Sequence, residues 1–315
     1  MKKGRNWLAA LVCLLVLLVP MILAGYSQQV RPGDDVQAAL YDVGYEGEVV
    51  LSPGRYDANW VIPGGRTLRA LTVEDRATLI FNPMGPTTNV LSVDGDDVKI
   101  MDLNLVSGAC GIWTGSFNTE VERCWFLDGD AGGWVTEPGT GKFIGCRFEN
   151  TNTGLTNEHA EMLEVYDNYF VGNRRSIHCM SRSTSAIQHN NFADGEMFVT
   201  IQLDTVRLTT IGSCDFAGDS VGVKVIGQPT DHISVRNCVF HDMPYNAIDI
   251  RYVRVLTGAV NKVFIINNTL KNVGNNGVWA DISGVSTNNA IDYRNNLVNG
   301  TRCCLASMRP LNISG

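Results

Sequence analysis

The chain has 315 residues, 44% hydrophobic and 18% charged, which allows a sizeable core and excludes a generally disordered chain. Its 32 glycines against 10 prolines suit a chain with many turns, and 25 Lys+Arg against 32 Asp+Glu leave a net charge of −7, which speaks against a nucleic-acid partner. The first segment reads as targeting. Lys2, Lys3 and Arg5 precede an apolar run from Trp7 to Ala24, broken by Pro20 and ending in small residues. This predicts a signal peptide over 1–25, with an uncleaved N-terminal anchor as the alternative. A membrane contact is expected only through that segment, and the protein is expected to be secreted or on the cell surface. Removing the segment leaves 22 basic against 32 acidic residues, a net charge of −10. Eight cysteines then remain in a compartment that permits disulfides.

After the leader, Gly33–Leu40 predicts a short capping helix from Val36 to Leu40, with Asp34 as N-cap and Gln37 three residues on. From residue 103 a repeat takes over. Its units carry Leu103-Asn104-Leu105, Cys124-Trp125-Phe126, Cys146-Arg147-Phe148, Asn168-Tyr169-Phe170, Asn190-Asn191-Phe192, Cys214-Asp215-Phe216, Cys238-Val239-Phe240, Asn268-Thr269-Leu270 and Asn296-Leu297-Val298. The apolar ends are spaced by 21, 22, 22, 22, 24, 24, 30 and 28 residues. Five residues before each stands a large apolar residue: Ile100, Val121, Phe143, Val165, Ile187, Ile211, Val235, Ile265 and Tyr293. Seven to nine residues after it come Ile112, Val135, Leu155, Ile177, Val199, Val223, Ile248, Val278 and Leu305. Alternation around these rows has strand period, so each unit predicts three short strands and three turns, with units stacked to bury their apolar residues. The Cys/Asn row two residues before each apolar end reads as an inward ladder at one corner. There Asn amides bond the next coil, and Cys fills the site as a small buried thiol, in poor geometry for bridging.

The Asn-Asn-x-Phe phrase at a spacing near 22, strands such as Gly222-Val223-Lys224-Val225, and the Pro53-Gly54-Arg55-Tyr56 turn resemble the right-handed parallel β-helix of the pectate-lyase-like superfamily. The resemblance covers roughly residues 30–315. It implies an all-β single solenoid of about nine or more coils, behind an N-terminal capping helix, and leaves activity open, because this scaffold carries lyases, hydrolases, epimerases and plain structural repeats. It also implies a substrate groove along the strand after the Asn corner. On that strand the outward positions are expected to be Trp113, Thr136, Thr156, His178, Thr200, Lys224, Asp249 and Trp279, and two residues on Gly115, Pro138, Glu158, Met180, Gln202, Ile226, Arg251 and Asp281.

An acidic chain thus gathers Lys224, Arg251, His178, Arg174, Arg175 and Arg182 near one side of a few coils, which suits an acidic polysaccharide. β-Elimination on a uronate needs a neutralised carboxylate, a base for the adjacent proton and a protonated leaving oxygen. Lys224 is the candidate base and Arg251 the neutraliser, with His178 as the third catalytic candidate. This is similar to β-helix lyases that use Lys and Arg. Trp113, Trp134 and Trp279 are candidates to stack on sugar rings, and Glu158, Arg175, Arg182, Gln202, Asp249 and Asp281 to bind substrate. No dedicated metal site is expected: the remaining histidines lack ligand spacing, and Asp94-Gly95-Asp96-Asp97 and Asp128-Gly129-Asp130 read as turns. Asp249, Asp281 and Glu158 are the oxygen donors a Ca²⁺ ion would use. Asn267, Asn299 and Asn312 open glycosylation sequons. A solvated charged face, on a non-catalytic structural or glycan-binding solenoid of a cell surface or virion, is the alternative reading. At the C-terminus the next corner would fall near 320–328, with Leu311 and Ile313 leading to it. The expectation is a longer gene product or a partner chain over the last coil.

Overall fold

The computed structural model describes residues 26–84, 88–106, 108–193, 199–227, 231–252, 262–282, 290–307 and 312–314; the expected signal peptide and Leu311 lie outside them. The chain winds into a parallel β-helix of about 11 coils with one short helix among the described residues. Every strand pair among the described residues is parallel, and most coils supply three strands. Face A is a 13-stranded sheet running from Ser27–Val30 to Asn312–Ser314. Face B, after the corner, holds short strands such as Tyr169–Val171 and Asp215–Ala217. Face C follows with longer ones such as Arg175–Met180 and Val221–Ile226. In two coils, faces B and C are one unbroken strand, Trp125–Thr136 and Arg147–Glu158, which joins both columns into one sheet.

The inward row of face A holds throughout. Ile100, Val121, Phe143, Val165, Ile187, Ile211, Val235, Ile265 and Tyr293 pair in register from coil to coil. The first eight are buried and Tyr293 partly so. On face B the apolar ends form a column in which Phe126, Phe148, Phe170, Phe192, Phe216 and Phe240 stack with centroids 4.5 to 4.9 Å apart. Parallel in-register pairing places identical rings one strand spacing apart, so the stack follows from the repeat itself. Glycines lie against this column: a Cβ on Gly132 would stand 2.6 Å from Phe148 and from the Gly154 carbonyl.

The corner ladder is buried from Leu103 to Asn268. The Asn190 Oδ1 accepts the Asn168 backbone N–H at 2.9 Å and its Nδ2 at 3.0 Å, while the Asn190 Nδ2 donates to the Val165 and Gln188 carbonyls at 2.8 Å. Asn268 and Asn296 repeat this with Val235 and Ile265. The cysteines occupy the same place chemically: the Cys146 thiol faces the Val121 and Ile144 carbonyls at 3.5 Å, as an Asn amide does on its own coil. All eight described cysteines are free thiols. The left-handed residue of the corner is not the ladder residue but the one before it, as in Arg123, Asp167, His189, Ser213, Asn237, Asn267 and Asn295, with φ of 51–57°.

Two details depart from expectation at the N-terminus. The helix α1, Val36–Asp42, is capped by Asp35, whose carboxylate accepts from the Ala38 N–H at 2.9 Å; Asp34 instead accepts from the Arg31 N–H at 2.8 Å. Gln37 makes no capping box. Its amide exchanges two hydrogen bonds of 2.8 Å with the Val61 backbone, clipping the helix to the strand Trp60–Pro63.

On face C the expected inward row shifts at two coils. Gly133, not Val135, pairs with Ile112 and Leu155, because Phe143 reaches across from face A to fill that place; a Cβ on Gly133 would stand 2.8 Å from its ring. Ile201, not Val199, pairs with Ile177 and Val223; two more residues separate Phe192 from Ile201 than Phe170 from Ile177.

Candidate functional site

These two shifts reset the outward rows. The central row of face C reads Ser92, Trp113, Trp134, Thr156, His178, Gln202, Lys224, Asp249 and Trp279 on consecutive coils. Trp134 thus replaces Thr136, and Gln202 replaces Thr200. The next row reads Thr136, Glu158, Met180, Asp204, Ile226, Arg251 and Asp281, so Asp204 stands where Gln202 was expected.

A cleft of about 980 Å³ lies over the N-terminal half of this face, lined by Trp113, Trp134, Thr156, Glu158, His178 and Met180 among others. Trp113 and Trp134 are in register. The Trp134 indole N–H donates to the Glu158 carboxylate at 3.1 Å, which fixes the ring. At the end of the cleft, Arg175 Nη1 lies 2.8 Å from His178 Nδ1, and His178 Nε2 lies 2.8 Å from Asp204 Oδ2. A guanidinium only donates, so Nδ1 is the acceptor and Nε2 carries the proton given to Asp204. Gln202 donates to the same carboxylate oxygen at 2.8 Å. Burial pushes the Asp204 carboxyl up, but the bonds from His178 and Gln202 and the nearby Arg175 charge outweigh it, and the net shift is downward. The carboxylate is therefore an anion at neutral pH. Arg182 is exposed and lines a second hollow, of about 840 Å³, with Met180, Asp204 and Glu137.

Beyond Asp204 the face changes character. Lys224 sits between Gln202 and Asp249 in its row, and among the described residues no hydrogen bond or ion pair holds its amine. Asp249 is 1% exposed, and Arg251 grips it through Nε and Nη2 at 2.9 to 3.2 Å. Arg251, Trp279 and Asp281 line a hollow of about 380 Å³ with Tyr245 and Asn276.

The expected residues therefore fall into two groups. Trp113, Glu158, Arg175, His178 and Gln202 gather around the cleft and its end; Lys224, Asp249, Arg251, Trp279 and Asp281 gather further along. The Ca²⁺ donor set does not converge, because Glu158 and Asp281 are five strand spacings apart in one row, about 24 Å. Among the described residues no cluster of three His, Cys, Asp or Glu side chains is placed to hold a metal ion. Asp94 ends the strand Asn89–Asp94 and Gly95–Asp97 bend after it, where Asp96 accepts from the Phe117 N–H at 2.8 Å and Asp97 from Asn118 at 2.9 Å; Asp128–Asp130, expected as a turn, instead lies within the strand Trp125–Thr136, with Asp128 left-handed. Asp204 is the residue sequence reasoning missed. Aligning that coil on Ile201 instead of Val199 would have found it.

This column arrangement defines a right-handed parallel β-helix. No protein-family model matches the sequence, and no curated relative does. The fold is shared with solved structures at low identity. The mannuronan C-5 epimerase A-module of Azotobacter vinelandii aligns over 92% of this chain and 100% of its own, with a TM-score of 0.57 and 12% identity. An alginate lyase from Paenibacillus sp. aligns over 92% and 99%, with a TM-score of 0.59 and 13% identity. A pectate lyase aligns over 93% and 79%, with a TM-score of 0.59 and 15% identity.

Proposed function

We propose that this chain is an exported β-helix protein, secreted or held at the cell surface, that binds a polysaccharide carrying uronate along face C and acts on it by proton abstraction beside the carboxylate, as a lyase or an epimerase. The observation that carries this is the face C row itself. Two in-register tryptophans beside an open cleft, then past Thr156 a polar His178–Asp204 wall, and then Lys224 and Arg251 follow in order along the face. The fold neighbours support it: three bear the names of enzymes of alginate, mannuronan and pectate.

In this reading Arg251 faces the substrate carboxylate with Nη1, its other nitrogens being held by Asp249. Lys224 takes the proton beside that carboxylate. In elimination the electron pair of that C–H bond forms the new C=C bond, the glycosidic C–O bond breaks, and the leaving oxygen takes up a proton. In epimerisation a proton returns to the opposite face. His178, tied at both ring nitrogens, positions Asp204 between the cleft and Lys224.

The test is a panel of uronate polymers, followed at the absorbance of the unsaturated product and, for epimerisation, by solvent deuterium incorporation. Lys224→Ala and Arg251→Ala should each abolish turnover with the fold intact by circular dichroism. Binding without any product or exchange would make the protein a glycan-binding solenoid. Neither binding nor product would overturn the proposal.

A further inference from the structure

The cations on face C are segregated, whereas carboxylates stand along its whole length, Asp204, Asp249 and Asp281 among them. Among the described residues that line the cleft over Trp113 and Trp134 there is no Lys or Arg, but there are three carboxylates, Asp94, Asp130 and Glu158. Asp94 and Asp130 are exposed, and Glu158 is half-buried and held against Trp134. The first cation of the face C rows is Arg175, and Lys224 and Arg251 follow only further on. Trp134 and Lys224 are four strand spacings apart, about 19 Å.

We infer that the cleft takes uncharged sugar units, so that the polymer fitting this face is mixed: neutral units over Trp113 and Trp134, and an acidic unit at the Lys224–Arg251 end. This rests on the polysaccharide reading above and names the substrate class for the same face. A homopolymer of uronate lying along the whole row would bring carboxylates against Asp94, Asp130 and Glu158. Like charges at that range suppress a wrong partner. A neutral pyranose instead offers an apolar ring face to the tryptophans and hydroxyls to the carboxylates, which are strong acceptors. Trp113 is 38% exposed, so its ring is open to such a ligand. The tie from Trp134 to Glu158 sets the second ring before the ligand arrives.

The experiment uses the full chain and three sets of hexasaccharides of equal length. They are neutral hexose or pentose oligomers, oligouronates, and mixed oligomers with an acidic unit at one end of a neutral stretch. Calorimetry gives the affinities, and quenching of tryptophan fluorescence reports occupancy of the cleft. Mixed oligomers should bind at least tenfold more tightly than either pure set. The double variant Trp113→Ala/Trp134→Ala should reduce them to the level of the oligouronates, and Lys224→Ala/Arg251→Ala to the level of the neutral oligomers. Asp94→Asn/Asp130→Asn, both at exposed positions, should raise oligouronate affinity several-fold at low salt, and the gain should fade in high salt. The inference is overturned if oligouronates quench the tryptophans and bind as tightly as the mixed set. That result would leave the uronate-active reading standing. Failure of all three sets to bind would remove both.

Discussion

Asn190 is the most exacting place to perturb this fold. The side chain is 2% exposed and makes four hydrogen bonds: two accepted from Asn168, and two donated to the Val165 and Gln188 carbonyls. Leucine has the same number and branching of side-chain heavy atoms and is somewhat larger, so Asn190→Leu opens no cavity and its main loss is polar. A neutral hydrogen bond contributes about 1 kcal/mol net, and a buried group left without its partner costs about 1–3 kcal/mol. Allowing Asn168 to recover one contact, the expected loss is about 3 kcal/mol. Asn190→Cys is the control. The corner accepts Cys at 124, 146, 214 and 238, and at the first three the thiol faces the same two kinds of carbonyl; in Cys214 these are Ile187 at 3.7 Å and Gly212 at 3.2 Å. That variant should lose only about 1 kcal/mol. Urea unfolding gives the free energies, and hydrogen exchange of the Asn168 amide gives the local effect. An Asn190→Leu protein within about 0.5 kcal/mol of wild type, or no worse than Asn190→Cys, would refute the ladder as a source of stability.

The glycines beside the phenylalanine column should be equally intolerant for a steric reason: Gly132→Val puts a Cβ 2.6 Å from Phe148 and should cost roughly 2–3 kcal/mol by thermal or urea unfolding, whereas an unchanged midpoint would mean that the stack yields. Burial pushes the Cys110, Cys146 and Cys179 thiols up to about 12, so in the folded protein at pH 8 they should stay unlabelled by iodoacetamide while exposed Cys304 reacts; equal labelling by mass spectrometry would refute the buried placement. The folded Asp204 carboxyl lies below its usual value, so its stabilisation is fully present above the unfolded pKa near 4 and is lost as pH falls through the folded value. Carbon-detected NMR titration should show Asp204 ionising below the ordinary aspartate range and moving up in His178→Ala; a wild-type value above 4 would contradict the pairing.

The solenoid was legible in the residues because each coil meets a copy of itself one strand spacing away. A row such as Val165, Ile187, Ile211 and Val235 must be apolar on every coil to stay inward, so the repeat prints the core directly onto the chain. Corner positions are legible for the same reason: Asn168 can satisfy Asn190 only if both stand at equivalent places. Face C escaped because its register depends on what lies outside its own coil. Phe143, from face A, occupies the space that makes Gly133 an inward residue, and two extra residues after Phe192 bring Ile201 into line. With that two-residue shift Asp204 comes to His178, and Gln202 moves into the central row beside Lys224. The candidate residue types were thus readable from the sequence, whereas the division of face C into a cleft without Lys or Arg and an end that carries Lys224 and Arg251 was decided by tertiary packing across faces.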